Sequence, residues 1–108
     1  MRIKKIDNTN GTCLQGYRKT TFSLLNKVFG KPNYYGGAGD KVDVEWGLKI
    51  EGIIVTIYNW KNGKCYLGYE GKEIEQIENW HIGGRSYDSV IMVEDAIDDY
   101  FKKPKRTV

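Results

Sequence analysis

Apolar and polar residues alternate strictly from Val42 to Ile50. A period of two is typical of a β-strand with one buried face. The apolar run Ile53–Trp60 follows directly after Glu51-Gly52, and this spacing predicts a hairpin with a two-residue turn. The hairpin register pairs apolar residues on a common core face: Ile50 with Ile53, Leu48 with Val55, and Trp46 with Ile57.

The same register puts carboxylates and aromatic rings on the other face of the hairpin. Glu45 lies across from Tyr58, and Asp43 lies across from Trp60. Asn62-Gly63 predicts a second two-residue turn. That turn pairs further residues on this face: Trp60 with Cys65, Tyr58 with Leu67, and Thr56 with Tyr69. This face is aromatic with a carboxylate edge, and either another element covers it or it is exposed for binding.

Two segments carry apolar residues at helical spacing. Thr20 is predicted to cap a helix at about 21–29, which a glycine and a proline end. Ser86 is predicted to cap the last helix at about 87–102.

These elements together predict an α+β fold. An antiparallel β-sheet of three to five strands, with hairpins at Glu51-Gly52 and Asn62-Gly63, is packed with the two helices. Residues 80–82 are predicted to form a last strand, whereas 72–78 fit either a short strand or a turn of helix. One helix for each sheet face would bury both faces.

The length of 108 residues predicts a single domain over 1–108, with residues 1–10 and 103–108 flexible. The chain has no run of about 18 apolar residues, and its first ten residues lack the apolar stretch of a secretory signal. We therefore expect a protein of the cytoplasm that does not engage a membrane.

Cysteine and histidine are too few for a structural zinc site. The chain has two cysteines, Cys13 and Cys65, at no metal-ligand spacing, and one histidine, His81. The sequence favours reduced thiols over a disulfide. No metal and no cofactor are predicted.

The net charge of +3 is mild, and a fair part of it lies in the basic tail at 102–106. A short basic segment after a helix is most often solvated, and nucleic-acid binding through it is the alternative. The outer face of the last helix is acidic, which is typical of a solvated helix face and also fits mimicry of nucleic-acid phosphates. Its carboxylates belong to Glu94, Asp95, Asp98 and Asp99.

The segment from His81 to Ser86 is the best candidate for binding a small anion. Gly83-Gly84 is interpreted as a turn that directs backbone N–H groups toward a ligand, next to a helix N-terminus. His81 and Arg85 stand beside it. A phosphate or carboxylate suits this arrangement, although a tight structural turn has the same sequence.

The aromatic content favours a binding surface. Eight tyrosines and three tryptophans exceed what a small core requires, and both residue types are enriched in binding hot spots. The alternative is that some of these rings cover the sheet beneath the last helix. The predicted partner-binding residues are Tyr34, Tyr35, Asp43, Glu45, Tyr58, Trp60 and Tyr69.

The case for catalysis is weaker. Asp43 and Glu45 share a strand face, so a carboxylate pair near Tyr58 is geometrically feasible for a small hydrolase. A half-exposed strand shows the same alternation without any activity. The sequence therefore favours a protein that is not an enzyme.

Four segments resemble a small domain family encoded by tailed bacteriophages and related mobile elements: KTTFSLLNKVFGKP, GDKVDVEWGLKI, TIYNWKNGKCYLG and NWHIGGRS. The resemblance covers roughly residues 14–97 and implies a source rather than an activity. The order of elements is also similar, in architecture only, to β-lactamase-inhibitor-like modules that present a sheet face to a partner.

These observations lead to one principal functional hypothesis. A compact phage-type protein of this kind is predicted to inhibit a host component, such as a defence nuclease or a signalling complex, by steric occlusion, as anti-CRISPR proteins do. The contact surface would be the aromatic sheet face and the loop 34–40. The alternative is a nucleotide- or nucleic-acid-binding module built on Arg85 and its neighbouring glycines. A monomer and a homodimer fit equally well.

Overall fold

The Glu51-Gly52 turn sets the register of the central hairpin in the computed structural model, which describes residues 1–102. Both turn residues have positive φ angles, +48° and +82°, as a type I′ hairpin turn requires. The register predicted from the sequence is confirmed at four pairs: Ile50 with Ile53, Leu48 with Val55, Trp46 with Ile57, and Glu45 with Tyr58.

Within residues 1–102 the chain forms six strands and three α-helices, so the predicted α+β class is confirmed. The strands are β1 (Ile3–Lys5), β2 (Cys13–Lys19), β3 (Tyr34–Tyr35), β4 (Val44–Ile50), β5 (Ile53–Tyr58) and β6 (Asn79–Gly84). The helices are α1 (Phe22–Phe29), α2 (Lys64–Leu67) and α3 (Asp88–Lys102). Two short 3₁₀ helices occupy Gly68–Glu70 and Ile74–Gln76. The second of these resolves the alternatives for 72–78 in favour of a helical turn.

The strands form one antiparallel sheet in the order β1-β4-β5-β6-β2. Strands β3 and β1 both pair with β4 on the side away from β5. Strand β3 pairs with the start of β4 and β1 with its end. Strand β5 therefore has β6 as its second neighbour, although the two are twenty residues apart in the chain.

Helices α1 and α3 both pack on the same face of this sheet. Phe22 of α1 contacts the rings of Trp46 and Trp80, and Val90 of α3 lies against Gly16 of β2. The prediction of one helix for each face is wrong. The other face carries mainly polar and aromatic side chains from Glu45 to His81, so burying it under a helix would desolvate groups that have no partners there.

The segment 6–12, here called the crossing segment, runs over the face opposite the helices and joins β1 at one sheet edge to β2 at the other. A Cβ added at Gly47 would lie 2.7 Å from the Ile6 carbonyl oxygen, so the chain passes directly over this glycine. Asn33 holds the start of the segment through hydrogen bonds to Ile6 and Gly47, and Arg85 donates two to the Asn10 carbonyl at its end. These contacts give the segment defined partners at Ile6 and Asn10, and the flexibility of residues 1–10 stays a prediction.

The Asn62-Gly63 hairpin is also wrong. Gly63 precedes helix α2 instead of a strand, and Lys61 rather than Asn62 adopts the positive φ angle. The Asn62 side chain accepts a hydrogen bond from the Asn59 side chain. Strand β5 ends at Tyr58, before the predicted end of the apolar run at Trp60. The local turn preference is overridden here, because β6 pairs with β5 from Val55 to Tyr58 and takes the place of the predicted hairpin strand.

Smaller differences concern the helix ends. Thr21 rather than Thr20 caps α1, through its hydroxyl oxygen and the backbone N–H of Leu24.

Among the acidic residues of α3, Glu94 forms an ion pair with Arg18 of β2. The predicted flexibility of 103–108 and most of the basic tail lie outside the described residues.

Candidate functional site

One row of side chains crosses the face opposite the helices, with one residue from each of five neighbouring strands. Tyr34 pairs with Glu45, Glu45 with Tyr58, Tyr58 with His81, and His81 with Tyr17. Adjacent strands lie about 4.8 Å apart, so this aromatic row spans about 19 Å. The crossing segment borders it on one side, because Gly47 is the next residue of β4 on the same face.

The rings of Tyr17, His81 and Tyr58 form a continuous series of contacts along the row. The His81 ring lies 4.9 Å from Tyr17 and 5.4 Å from Tyr58, measured between centroids. Trp60, which follows the end of β5, lies 6.3 Å from His81 at an interplanar angle of 26°, a stacked arrangement. Trp60 extends the surface on the side away from the crossing segment.

Two lysines flank the Trp60 ring. The Nζ atoms of Lys41 and Lys61 each lie 5.7 Å from its centroid, within the range of a cation–π contact. The backbone N–H of Lys61 donates to the Lys41 carbonyl, and Lys61 has a φ of +58°, which lysine seldom adopts. Neither ammonium group forms an ion pair with any residue in 1–102. The Trp60 ring therefore contacts two cations, and neither of them has a carboxylate partner within residues 1–102.

Burial changes the protonation of the row. It lowers the pKa of His81, so the imidazole is mainly neutral at pH 7. Burial, and then the nearby Glu45 charge, raises the pKa of the Tyr58 hydroxyl. Burial also raises the pKa of the Glu45 carboxyl. The row thus offers neutral aromatic surfaces and one carboxylate that is poorly solvated.

Beyond the row, Tyr34 donates a hydrogen bond from its hydroxyl to the Asp40 carboxylate. Asp40 also accepts one from the Gly37 backbone N–H. The bond from Gly37 and then the bond from Tyr34 lower the pKa of Asp40, whereas the bond to Asp40 and then its charge raise the pKa of Tyr34. Asp40 therefore joins Tyr34 to the Gly37 backbone across the loop 36–40.

The predicted partner-binding residues fall into two groups. Tyr34, Glu45, Tyr58 and Trp60 come together at the aromatic row. Tyr35 pairs with Val44, so it projects from the opposite side of β3, and Tyr69 is 95% exposed on the 3₁₀ helix after α2. Tyr69 does not face Thr56, because β6 occupies that position.

The predicted place of Asp43 on the exposed sheet face is wrong. Asp43 is 5% exposed, and its carboxylate accepts hydrogen bonds from the Asn59 side chain and from the Cys65 backbone N–H. These bonds hold the Asp43 carboxylate inside the molecule, so it is not part of the exposed surface. Glu45 of β4 and His81 of β6 are separated by Tyr58 of β5.

The predicted turn at Gly83-Gly84 is not formed. Gly83 and Gly84 are buried residues of β6, paired with β5 on one side and β2 on the other, so their backbone groups serve the sheet. Gly83 is small because Thr56 lies against it, and Gly84 because Ser89 does. Arg85 binds the crossing segment, while His81 belongs to the aromatic row. The four residues do not form a common site.

Tyr17, Lys41 and Lys61 are the site residues that the sequence did not reveal. Tyr17 lies in a segment without clear alternation and meets its neighbour His81 only through the sheet. The two lysines converge because a backbone hydrogen bond joins chain segments twenty residues apart. The sequence Trp60-Lys61 before Asn62-Gly63 was the one local signal for an aromatic ring next to a cation at a turn.

Within residues 1–102 no group of three His, Cys, Asp or Glu side chains is placed to hold a metal ion. Cys13 and Cys65 are both free thiols. In the same range, no helix combines the length and apolar character needed to cross a membrane.

Comparison with protein-family models, curated proteins and solved structures finds no match to this chain. The resemblance to a bacteriophage domain family therefore stays a prediction, and the functional argument rests on the geometry of the site.

Proposed function

We propose that the protein is a non-catalytic binding protein that binds single-stranded nucleic acid on its aromatic row. The observation that carries the proposal is the partly exposed Trp60 ring, which contacts the ammonium groups of Lys41 and Lys61 and is continued by the rings of His81 and Tyr58. Aromatic rings on adjacent strands stack unpaired bases, and lysines neutralise the phosphates between them.

The distribution of charge supports this proposal. Lys19 continues β2 beyond Tyr17 on the same face, so cations stand near both Tyr17 and Trp60. Helix α3, on the other side of the sheet, carries five carboxylates and one lysine within its bounds. An anionic strand is therefore attracted to the aromatic row and repelled from the opposite side of the molecule.

The small number of cations sets the expected salt dependence. Each phosphate neutralised on a single strand contributes about −0.7 to the slope of log K against log salt. Engagement of Lys19, Lys41 and Lys61 gives a slope of about −2. Binding is thus expected to be moderate and driven in large part by stacking.

Tryptophan fluorescence tests the proposal directly, because Trp60 is 41% exposed while Trp46 and Trp80 are fully buried. Titration with the decamers dT₁₀ and rU₁₀ should quench the emission of Trp60, and the two arms distinguish DNA from RNA. A duplex of the same length should quench less, since its bases are not free to stack. Absence of binding to either decamer in low salt would overturn the proposal.

Matched variants locate the binding surface. Trp60→Leu should abolish the quenching and weaken binding measured by fluorescence polarisation of a labelled decamer about 5- to 100-fold. Lys41→Gln and Lys61→Gln should each reduce the salt slope. Lys27→Gln removes an exposed lysine of α1, and it should leave both quantities unchanged.

A second candidate function is inhibition of a host protein by steric occlusion, in the cytoplasm of a bacterial host infected by a phage. It is favoured by exposed aromatic and apolar residues on β3 and on the segment from α2 to the following 3₁₀ helix, a composition typical of protein-binding surfaces. This group comprises Tyr34, Tyr35, Tyr66, Leu67 and Tyr69, each at least 43% exposed.

A pull-down from bacterial lysate, with and without nuclease treatment, separates the two candidates. Recovery of one nuclease-resistant host complex, lost on Tyr58→Ala or Trp60→Ala, would favour the inhibitor. Recovery of nucleic acid that disappears after nuclease treatment would favour the first proposal.

A further inference from the structure

Glu45 is the one acidic member of the aromatic row, and it lies between Tyr34 and Tyr58. Its side chain is half-buried, and among residues 1–102 it accepts no hydrogen bond and forms no ion pair. A partly desolvated carboxylate without a protein partner is less favourable for folding than a paired one. Its oxygens are therefore open to a hydrogen-bond donor from a ligand.

Two surface cavities meet at this carboxylate. One, of about 300 Å³, is lined by Glu45, Tyr34 and Lys41 among others. The second, of about 220 Å³, lies between Glu45 and the crossing segment at Thr9. These volumes are at or below the lower end of the range for small-molecule pockets, so each suits a group no larger than a single base.

The donors that a base presents decide how well it pairs with a carboxylate. Guanine places its N1–H and N2–H side by side, so both can reach the two carboxylate oxygens. Cytosine and adenine offer one amino group beside an acceptor nitrogen, and thymine and uracil offer one N–H between two carbonyl oxygens. Charge-assisted pairs of the bidentate kind are the stronger ones.

We propose that Glu45 selects guanine in the bound strand, by accepting hydrogen bonds from N1–H and N2–H of a base that lies against Tyr34, which lines both cavities. This inference rests on the proposed binding of single-stranded nucleic acid. Tyr58 lies on the other side of Glu45, and the crossing segment closes the site toward Gly47. Lys41 and Lys61, which contact Trp60, bind the phosphates of the adjoining nucleotides.

The test compares four decamers that differ at one central position: dT₁₀ and its single-substitution variants with G, C or A. Affinities are measured by quenching of Trp60 fluorescence at pH 7.5. A single guanine should tighten binding about tenfold or more relative to dT₁₀, with cytosine and adenine between them. Equal affinity for all four would overturn the selection by Glu45 and leave the proposed function standing, whereas no binding to any of them would overturn both.

Glu45→Gln is the diagnostic variant, with Asp98→Asn on the far side of the molecule as its control. Glu45→Gln should bind the four decamers with similar affinities, and Asp98→Asn should keep the preference for guanine. Circular dichroism and thermal unfolding establish that both variants are folded. A Glu45→Gln protein that is folded and still prefers guanine would refute the inference.

The pH dependence provides a readout that a structural role of Glu45 would not affect. Burial raises the pKa of this carboxyl above its usual value. The preference for guanine should therefore decline as the pH falls through that raised pKa, while binding of dT₁₀ changes less. Asp40 and Lys41 line the cavity on one side of Glu45 and Asp7 lines the cavity on the other, while His81 stands beyond Tyr58 in the row. The Glu45→Gln variant keeps all four groups and therefore isolates the effect of Glu45. A preference that stays constant down to pH 4.5 would contradict recognition by the ionised carboxylate.

Discussion

The buried Asp43 carboxylate accepts a hydrogen bond of 2.8 Å from the side-chain amide of Asn59. Asn59 uses its own oxygen to accept from the backbone N–H groups of Asp43 and Val44. The two side chains thus connect the start of β4 to the end of β5, where the regular ladder stops at Glu45 and Tyr58. This contact holds the chain that carries Trp60 next to the chain that carries Lys41.

We expect Asp43→Ala to destabilise the protein by about 1–3 kcal/mol, because the Asn59 amide and the Cys65 N–H lose their acceptor inside the molecule. Urea unfolding followed by circular dichroism measures this change. Glu70→Ala removes an exposed carboxylate and should change stability by less than about 0.5 kcal/mol. Equal stability of the two variants would show that the Asp43 network contributes nothing.

Gly47→Ala tests the crossing segment. A methyl group at this position would collide with the Ile6 carbonyl oxygen and press on Thr9, so we expect a loss of about 1–3 kcal/mol. Gly37→Ala is the matched control, since a Cβ there meets no atom within 4 Å. It should be neutral or slightly stabilising, because alanine reduces the freedom of the unfolded chain. A tolerated alanine at position 47 would mean that the segment does not lie where the structure shows it.

Glu45→Gln should raise the melting temperature at pH 7. Burial raises the pKa of this carboxyl above its value of 4.5 in the unfolded chain, so the folded state binds protons more readily than the unfolded state. The ionised form therefore opposes folding at neutral pH. The advantage of the variant should shrink as the pH falls toward 4.5, and a lower melting temperature at pH 7 would contradict the expectation.

His81 should give the opposite dependence on pH. Burial lowers its pKa below 6.5, so the unfolded state binds the proton more readily and stability is lost as the pH falls from about 6.5. His81→Phe keeps an aromatic ring without this titration. Relative to the variant, the wild-type protein should lose stability between pH 7 and pH 5 and stay constant above pH 7, as thermal unfolding across this range will measure.

Sequence reasoning was accurate where the structure depends on local geometry. The Glu51-Gly52 turn and the period-two pattern around Trp46 sufficed to place Glu45 opposite Tyr58, because a two-residue turn permits only one pairing register. The same reasoning failed at Asn62-Gly63. There the local turn preference competed with pairing of β5 to a strand twenty residues away, and nothing in the neighbouring sequence reports that competition.

The candidate site divides along the same line. Trp60, Tyr58 and Glu45 were recognisable because they alternate with core residues on one hairpin. His81 and Tyr17 were not assigned to that face, because each joins the row through a strand that is distant in sequence. The glycines after His81 suggested a ligand-binding turn, but tertiary packing against Thr56 and Ser89 explains their small size.

The sequence by itself determined the α+β class, the central hairpin, the helix α1 with its glycine end and the apolar stripe of α3, since turns, caps and periodicity act over a few residues. Only the tertiary structure decided that both long helices share one face and that the crossing segment borders the other. The reason is physical: the sheet order is set by the burial of one shared core, to which residues from Leu25 to Ile97 contribute together. That choice leaves the aromatic row exposed.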